Sequence, residues 1–199
     1  YLPHVLFELG FLDQSQTYSS EAIRAAYDTE HAPTLAFTLF HALIFHQRYG
    51  DLEAHQSLVS ELVTVCEQHG LSAFLIIGEA CQGHLAMIEA PCESALSKIE
   101  MAKNAWVDEA VPGVFSSWFV HLMAKAQNAL GRSEEAIASI DLAISIAKKN
   151  NERLCLPEVL QTKANLILTG PHPDESAIER QLQEALDLAR SMNAHLPEL

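Results

Sequence analysis

Leu130-Gly131-Arg132-Ser133-Glu134-Glu135-Ala136-Ile137-Ala138-Ser139-Ile140 is a glycine turn running into an amphipathic helix, and its reading decides the fold. From Ser133 to Lys149 the apolar residues Ala136, Ile137, Ile140, Ala143, Ile144 and Ala147 recur three and four positions apart. That spacing draws one apolar stripe along a helix. Ser133, Glu134 and Glu135 supply a polar, acidic start, and Lys148 and Lys149 fall in the last turn, where positive charge complements the helix dipole.

The same turn recurs along the chain. Its central residues are Gly10, Gly50, Ala90, Gly131 and Gly170, at intervals of 40, 40, 41 and 39 residues. After the last four, a short polar stretch leads to an alanine: Ala54, Ala95, Ala136 and Ala177. Before the turns lie apolar segments that predict helices over Thr34 to Tyr49, Ala73 to Glu89, Phe115 to Leu130 and Glu158 to Thr169. Pro33, Pro112 and Pro157 fall near the starts of these first helices, where a missing N–H costs nothing. No stretch alternates as a strand bounded by hairpin turns. The expected fold is therefore all-α. Helical pairs of about 40 residues cannot bury their apolar faces alone, so they are expected to stack into a right-handed α-solenoid. The units fall at about 1–30, 31–70, 71–110, 111–151 and 152–195 of a single 1–199 domain. The first residue is Tyr1, only Leu2 to Leu9 precede the first turn, and His195-Leu196-Pro197-Glu198-Leu199 reads as the opening of another helix. These features lead to the expectation of a segment excised from a longer protein.

Composition narrows the function. Twelve Lys and Arg stand against 26 Asp and Glu, a formal charge of −14. This argues against nucleic acid, whose phosphates need a basic face, and against an anionic membrane surface. No apolar run approaches the ~20 residues that span a bilayer; Leu35 to Phe45 is short and contains His41. With no secretory signal visible, a cytoplasmic location is expected. Cys66, Cys81, Cys92 and Cys155 form no Cys-x-x-Cys pair and are expected to be reduced and packed in the core.

Within each unit the pattern resembles the tetratricopeptide repeat: a small residue in the first helix, a turn, and an alanine early in the second helix. The third unit shows Gly83, Ala90 and Ala95, and the fourth shows Ala124, Gly131 and Ala136. The second departs, with Leu43 at the small position, so its helices are expected to sit further apart. The period near 40 exceeds the usual ~34 and implies longer helices. The order of segments also resembles the C-terminal arrays of large bacterial signalling proteins, which lie behind a P-loop ATPase module and an output domain. That output is a nucleotidyl cyclase in some members and a DNA-binding winged helix in others. The matching segments are Leu9-Gly10-Phe11-Leu12-Asp13-Gln14, Leu35-Ala36-Phe37, Gly131-Arg132-Ser133-Glu134-Glu135-Ala136, and Glu184-Ala185-Leu186-Asp187-Leu188-Ala189-Arg190 running into Leu196-Pro197-Glu198-Leu199. The resemblance implies a regulatory, protein-binding array in signal transduction or transcription regulation that does no chemistry itself. No Gly-x-x-x-x-Gly-Lys-Ser/Thr phosphate loop occurs in the chain.

Candidate sites follow from the solenoid. Cys66 with His69, and Cys81 with His84, each share a helix face, and His41 and His46 are five apart. Zinc needs four convergent ligands, or three plus water; core cysteines with histidines that solvate turns or line a groove explain the pattern equally. No elbow presents an activated nucleophile, so no catalytic residue, metal or cofactor is assigned. In stacked pairs the first helices line the concave face. Aligning the units places Phe37, Ile77 and Trp118 in one ring and Phe40, Ala80 and His121 in the next. Ile44, His84 and Lys125 follow, then Gln47, Met87 and Asn128. Aromatic anchors beside hydrogen-bonding groups suit a peptide or partner helix; the competing reading is that Phe37, Phe40 and Trp118 fill the core between repeats. Only Lys125 and Asn128 could serve a dicarboxylate clamp, so a chaperone tail is not the expected ligand. The run Trp106 to Gly113 joins the third and fourth units as either a closing loop or a contact ridge. The expected function is a non-catalytic domain that binds a partner protein, a peptide, or its own ATPase or output domain. The alternatives are a small-molecule or metal sensor in the same array, or the regulatory tail of a nucleotidyl cyclase.

Overall fold

The structure, a computed structural model, describes residues 1–108, 115–192 and 194. Those residues form ten α-helices and no strand. In chain order they are α1 (Leu2–Glu8), α2 (Leu12–Asp28), α3 (Ala32–Tyr49), α4 (Leu52–His69) and α5 (Ser72–Glu89), then α6 (Glu93–Lys103), α7 (Ser116–Ala129), α8 (Ser133–Asn150), α9 (Leu156–Thr169) and α10 (Glu175–Ser191). A π-helical turn, Asn104–Asp108, extends α6. The four first helices and α8 begin and end within two residues of the predicted bounds. The chain is an all-α helical-repeat array, solenoid-like in that helices pack on their chain neighbours. It packs as two compact units, Tyr1–Gln82 and Gly83–Met192, with the division inside α5.

Each helix end has a local cause. Gly50 follows α3 with φ 83° and Gly131 follows α7 with φ 76°, a left-handed backbone that a side chain would strain. Asp51 then caps α4 by accepting from the Ala54 amide at 3.0 Å, and Asp174 caps α10 through Ala177 at 3.1 Å. Pro33 and Pro157 stand in the first turns of α3 and α9 as expected; Pro112 lies outside the described residues. Ser133 is the first helical residue of α8 rather than its cap, and Arg132 holds the capping position. There its guanidinium ties the turn to Glu93 and to Glu135.

In the first unit α1 pairs with α2 and α3 with α4, around a core of Leu39, Leu43, Ile44, Phe45 and Leu62. Each such side chain contributes roughly 1.5–3 kcal/mol on full burial. A buried ion pair, Arg48 Nη2 to Glu8 Oε1 at 2.6 Å, fastens α1 to α3, and the guanidinium lies over the Phe7 ring. In the second hairpin, where Leu43 takes the small position, His55 lies between the two helices. This imidazole is fully buried and bonds the Leu43 carbonyl through Nδ1 at 2.9 Å. His55, five residues after the turn centre, therefore holds the place of Ala95 and Ala136, and Ala54 is only half-buried.

The second unit holds the end of α5 with α6, then α7 against α8 and α9 against α10. Phe119, Leu122, Ile140 and Leu160 are fully buried. Trp106 is half-buried with its ring 5.5 Å from Phe119, which makes it a helix-end packing residue; residues 109–113 of the expected connecting run lie outside the described residues. His195 to Leu199, expected to open a further helix, also lie outside them. Cys66, Cys81 and Cys155 are buried and free as expected. Cys92 corrects that expectation: it is exposed at the start of α6, beside the Ser94 hydroxyl at 3.4 Å.

At Gly83 two helices approach closely. A Cβ there would stand 2.7 Å from the Ala95 carbonyl oxygen and 3.2 Å from Ile99 Cγ1. A backbone oxygen cannot swing aside, so Gly83→Ala forces α5 and α6 apart. Overpacking costs about 1–3 kcal/mol, against a helix-propensity gain of up to ~1 kcal/mol. Urea unfolding is expected to show G83A less stable by about 1–2 kcal/mol; an unchanged midpoint would mean that this close packing does not hold the pair together.

Candidate functional site

The ten groove candidates divide by exposure. In the first unit Phe40, Ile44 and Ile77 are buried, Gln47 is half-buried, and Phe37 is 44% exposed. In the second unit Trp118 is only 2% exposed and His121 is buried, while His84 and Lys125 are half-buried and Asn128 is exposed. Trp118 packs edge-on against Phe119 with centroids 4.9 Å apart. Five of the ten thus fill space between helices, as the competing reading of the aromatic stripe had it for Phe40 and Trp118. The others reach the surface.

Two polar candidates of the second unit join one first helix to the next. His121 Nε2 lies 2.8 Å from Thr162 Oγ1, and Lys125 Nζ lies 3.5 Å from Glu158 Oε1, so α7 is stitched to α9. At the start of α7, Glu152 accepts from both the amide and the hydroxyl of Ser117, at 2.9 and 2.6 Å. This carboxylate satisfies an amide that the helix start leaves unpaired. Burial, reinforced by the Lys125 charge and opposed by Glu158, lowers the His121 pKa to about 3.

In the first unit Phe37 belongs to a cluster that spacing alone does not assemble. Its ring meets His41 at 4.6 Å, and His41 also meets Tyr1 at 4.6 Å and His4 at 5.6 Å. Beside them is a cavity of about 110 Å³, bordered by Tyr1, His4, Ser19, Phe37, Thr38 and His41. The Ser19 hydroxyl is buried there without a hydrogen-bond partner. Burial lowers the His4 pKa to about 3, helped by His41 and Arg48. Burial lowers His41 to about 4. His46 and His55 are lowered as well, burial being the leading cause for each; Asp51 opposes it at His46 and the Leu43 carbonyl at His55. Burial raises the Cys66 thiol to about 11 and pushes Cys81 up further, opposite to the shift that makes a thiolate nucleophile.

Sequence reading missed His4 and Ser19 as neighbours of Phe37. They sit on α1 and α2, and only the pairing of these helices with α3 brings them together. The expected pairs Cys66–His69 and Cys81–His84 do not converge with a third ligand: among the described residues no three His, Cys, Asp or Glu side chains could hold a metal ion. No described helix is long and apolar enough to cross a membrane. Compared with known proteins, the chain matches no family model, no curated protein and no solved structure.

The depressed histidines set a pH dependence. With a folded pKa near 3 and an unfolded value of 6.5, His121 is neutral in both states at pH 7, and its contribution is then complete. Below 6.5 the unfolded chain binds a proton that the folded protein refuses, so stability falls as pH falls. Each such ring contributes a slope of about 1.4 kcal/mol per pH unit between the two values. Urea unfolding from pH 6 to 4.5 is expected to show stability decreasing, and His121→Gln is expected to flatten the slope by about one proton. An unchanged slope in H121Q would show that this ring titrates alike in both states.

Proposed function

We propose that this chain is a non-catalytic protein-interaction domain, the regulatory helical-repeat array of a bacterial signalling or transcription-regulatory protein acting in the cytoplasm. Its partner is a protein or peptide, including the ATPase or output domain of the same parent. The turn and helix segments that resemble such arrays support the parent; the binding role rests on Phe37. This aromatic is exposed on a first helix yet held by the His41 edge, so a partner gains apolar contact without first ordering the anchor. A partner that prefers one arrangement of the helices shifts the parent between states by its difference in affinity for them.

A second reading has its own observation. The cavity beside Phe37, with two neutral imidazoles and the Ser19 hydroxyl, is the size of a small polar molecule, which supports a sensor role for the same face. The two readings separate on Phe37→Ala and Ser19→Val. Peptides selected on the protein from a displayed random library are expected to lose at least tenfold in affinity for F37A and to bind S19V unchanged. Peptides indifferent to F37A would remove Phe37 as the anchor. Loss confined to S19V would favour a small ligand seated in the cavity.

A further inference from the structure

Opposite in kind to the histidine-lined cavity is a larger cleft in the first unit, of about 560 Å³, between the end of α2, the start of α3 and the second half of α4. Ala26 and Ala32 on one side, and Ser60 and Thr64 on the other, are among the residues that line it. Leu35 and Val65 give it an apolar floor. Glu61 projects into this setting half-buried, and burial raises its carboxyl pKa. The Tyr27 hydroxyl donates to Glu61 Oε1, which holds the carboxylate in place beside a ring that is itself 50% exposed.

Charge in the cleft has one sign. Glu30 and Glu61 line it, with His31 and His69, and no Lys or Arg does. The last turn of α2 also lines it, and that turn carries no basic residue to complement its negative end. The amino end of α3 lies there too and offsets part of this dipole, so the carboxylates decide the sign. A partly desolvated carboxylate, a neighbouring aromatic ring and an apolar floor together favour a planar cation with an apolar stem. Arginine meets all three conditions: its guanidinium pairs a carboxylate through parallel N–H donors and stacks on aromatic rings.

We propose that the α2–α4 cleft is a docking site for an arginine side chain presented by a partner protein, with Glu61 as the carboxylate that receives it and Tyr27 as the ring beside it. The site is separate from the Phe37 face and does not depend on the role proposed for that face.

The test uses the whole chain and three acetylated, amidated pentapeptides, Gly-Ala-X-Ala-Gly, with X arginine, lysine or citrulline, titrated by ¹H–¹⁵N NMR. The arginine peptide is expected to give saturable shifts confined to the amides of Tyr27, Ser60, Glu61 and Thr64. The citrulline peptide, neutral but of the same shape, is expected to bind at least tenfold more weakly, and the lysine peptide about threefold more weakly. Glu61→Gln is expected to weaken the arginine peptide at least fivefold. Thr64 is exposed, so Thr64→Lys places a competing cation one turn from Glu61 without disturbing the core, and is expected to abolish binding. Phe37→Ala is expected to leave it unchanged, so failure of the Phe37 reading would not be confused with failure here. Equal affinity for the citrulline peptide, full binding by T64K, or shifts of the same size at the amides of other carboxylates such as Glu175, Glu179 and Asp187 would overturn the proposal.

Discussion

The second helix of each pair must lie against the first closely enough to bury its narrow apolar stripe, and the rest of the structure depends on that approach. Where Gly83 meets the Ala95 carbonyl the backbones almost touch. Ala124 and Ala136 play the same part in the next pair, both fully buried. At α3 and α4 the small residue is replaced by Leu43, and the space is filled by His55, which must be neutral and hydrogen-bonded to be there at all. One constraint, satisfied two ways, produces both the regular packing of the second unit and the histidine-bearing interior of the first.

Polar contacts obey the same repetition. Glu8 pairs with Arg48, Glu93 with Arg132, His121 with Thr162 and Lys148 with Glu184. The separations are 40, 39, 41 and 36 residues, about one repeat each. These links join consecutive pairs, and Glu8 and Arg48 stand at the same distance before their turns. Exposed examples such as Lys148–Glu184 add little stability, about 0–1 kcal/mol. Arg48–Glu8 is different: both side chains are buried, so removing either would strand the other's charge in the core.

The helices were legible because their signals are local. The glycine turn at Gly131 and the apolar spacing from Ala136 to Ala147 act within a few residues, and first-helix bounds followed to within two positions. Gly83 was legible for the same reason, since a glycine inside a helix demands a neighbour close by. The candidate site was half legible. Phe37 and Trp118 occupy equivalent places on their helices, yet one is exposed and the other buried. The difference lies in what each neighbouring helix sets against them, which periodicity within one helix cannot express. His55 and the Tyr27–Glu61 pair were invisible for that reason too: each belongs to two helices at once.

The charge of the chain bears on function through what the packing leaves over. Arg48, Arg132, Lys125, Lys148 and Lys163 are each drawn into ion pairs with carboxylates on other helices or turns. With 26 acidic groups against 12 basic ones, these pairs leave carboxylates as the surplus. Most of that surplus is solvated and screened beyond about 10 Å at ordinary salt, so it steers basic partners without discriminating among them. Discrimination needs a carboxylate backed by apolar surface, where water and salt compete poorly. Glu61, half-buried above Leu35 and Val65, satisfies that condition. It does so on the α2–α4 side of the first unit, away from the Phe37 cluster on α1 and α3. On the proposal made above, the net negative charge attracts basic partners in general, and the one cleft selects among them.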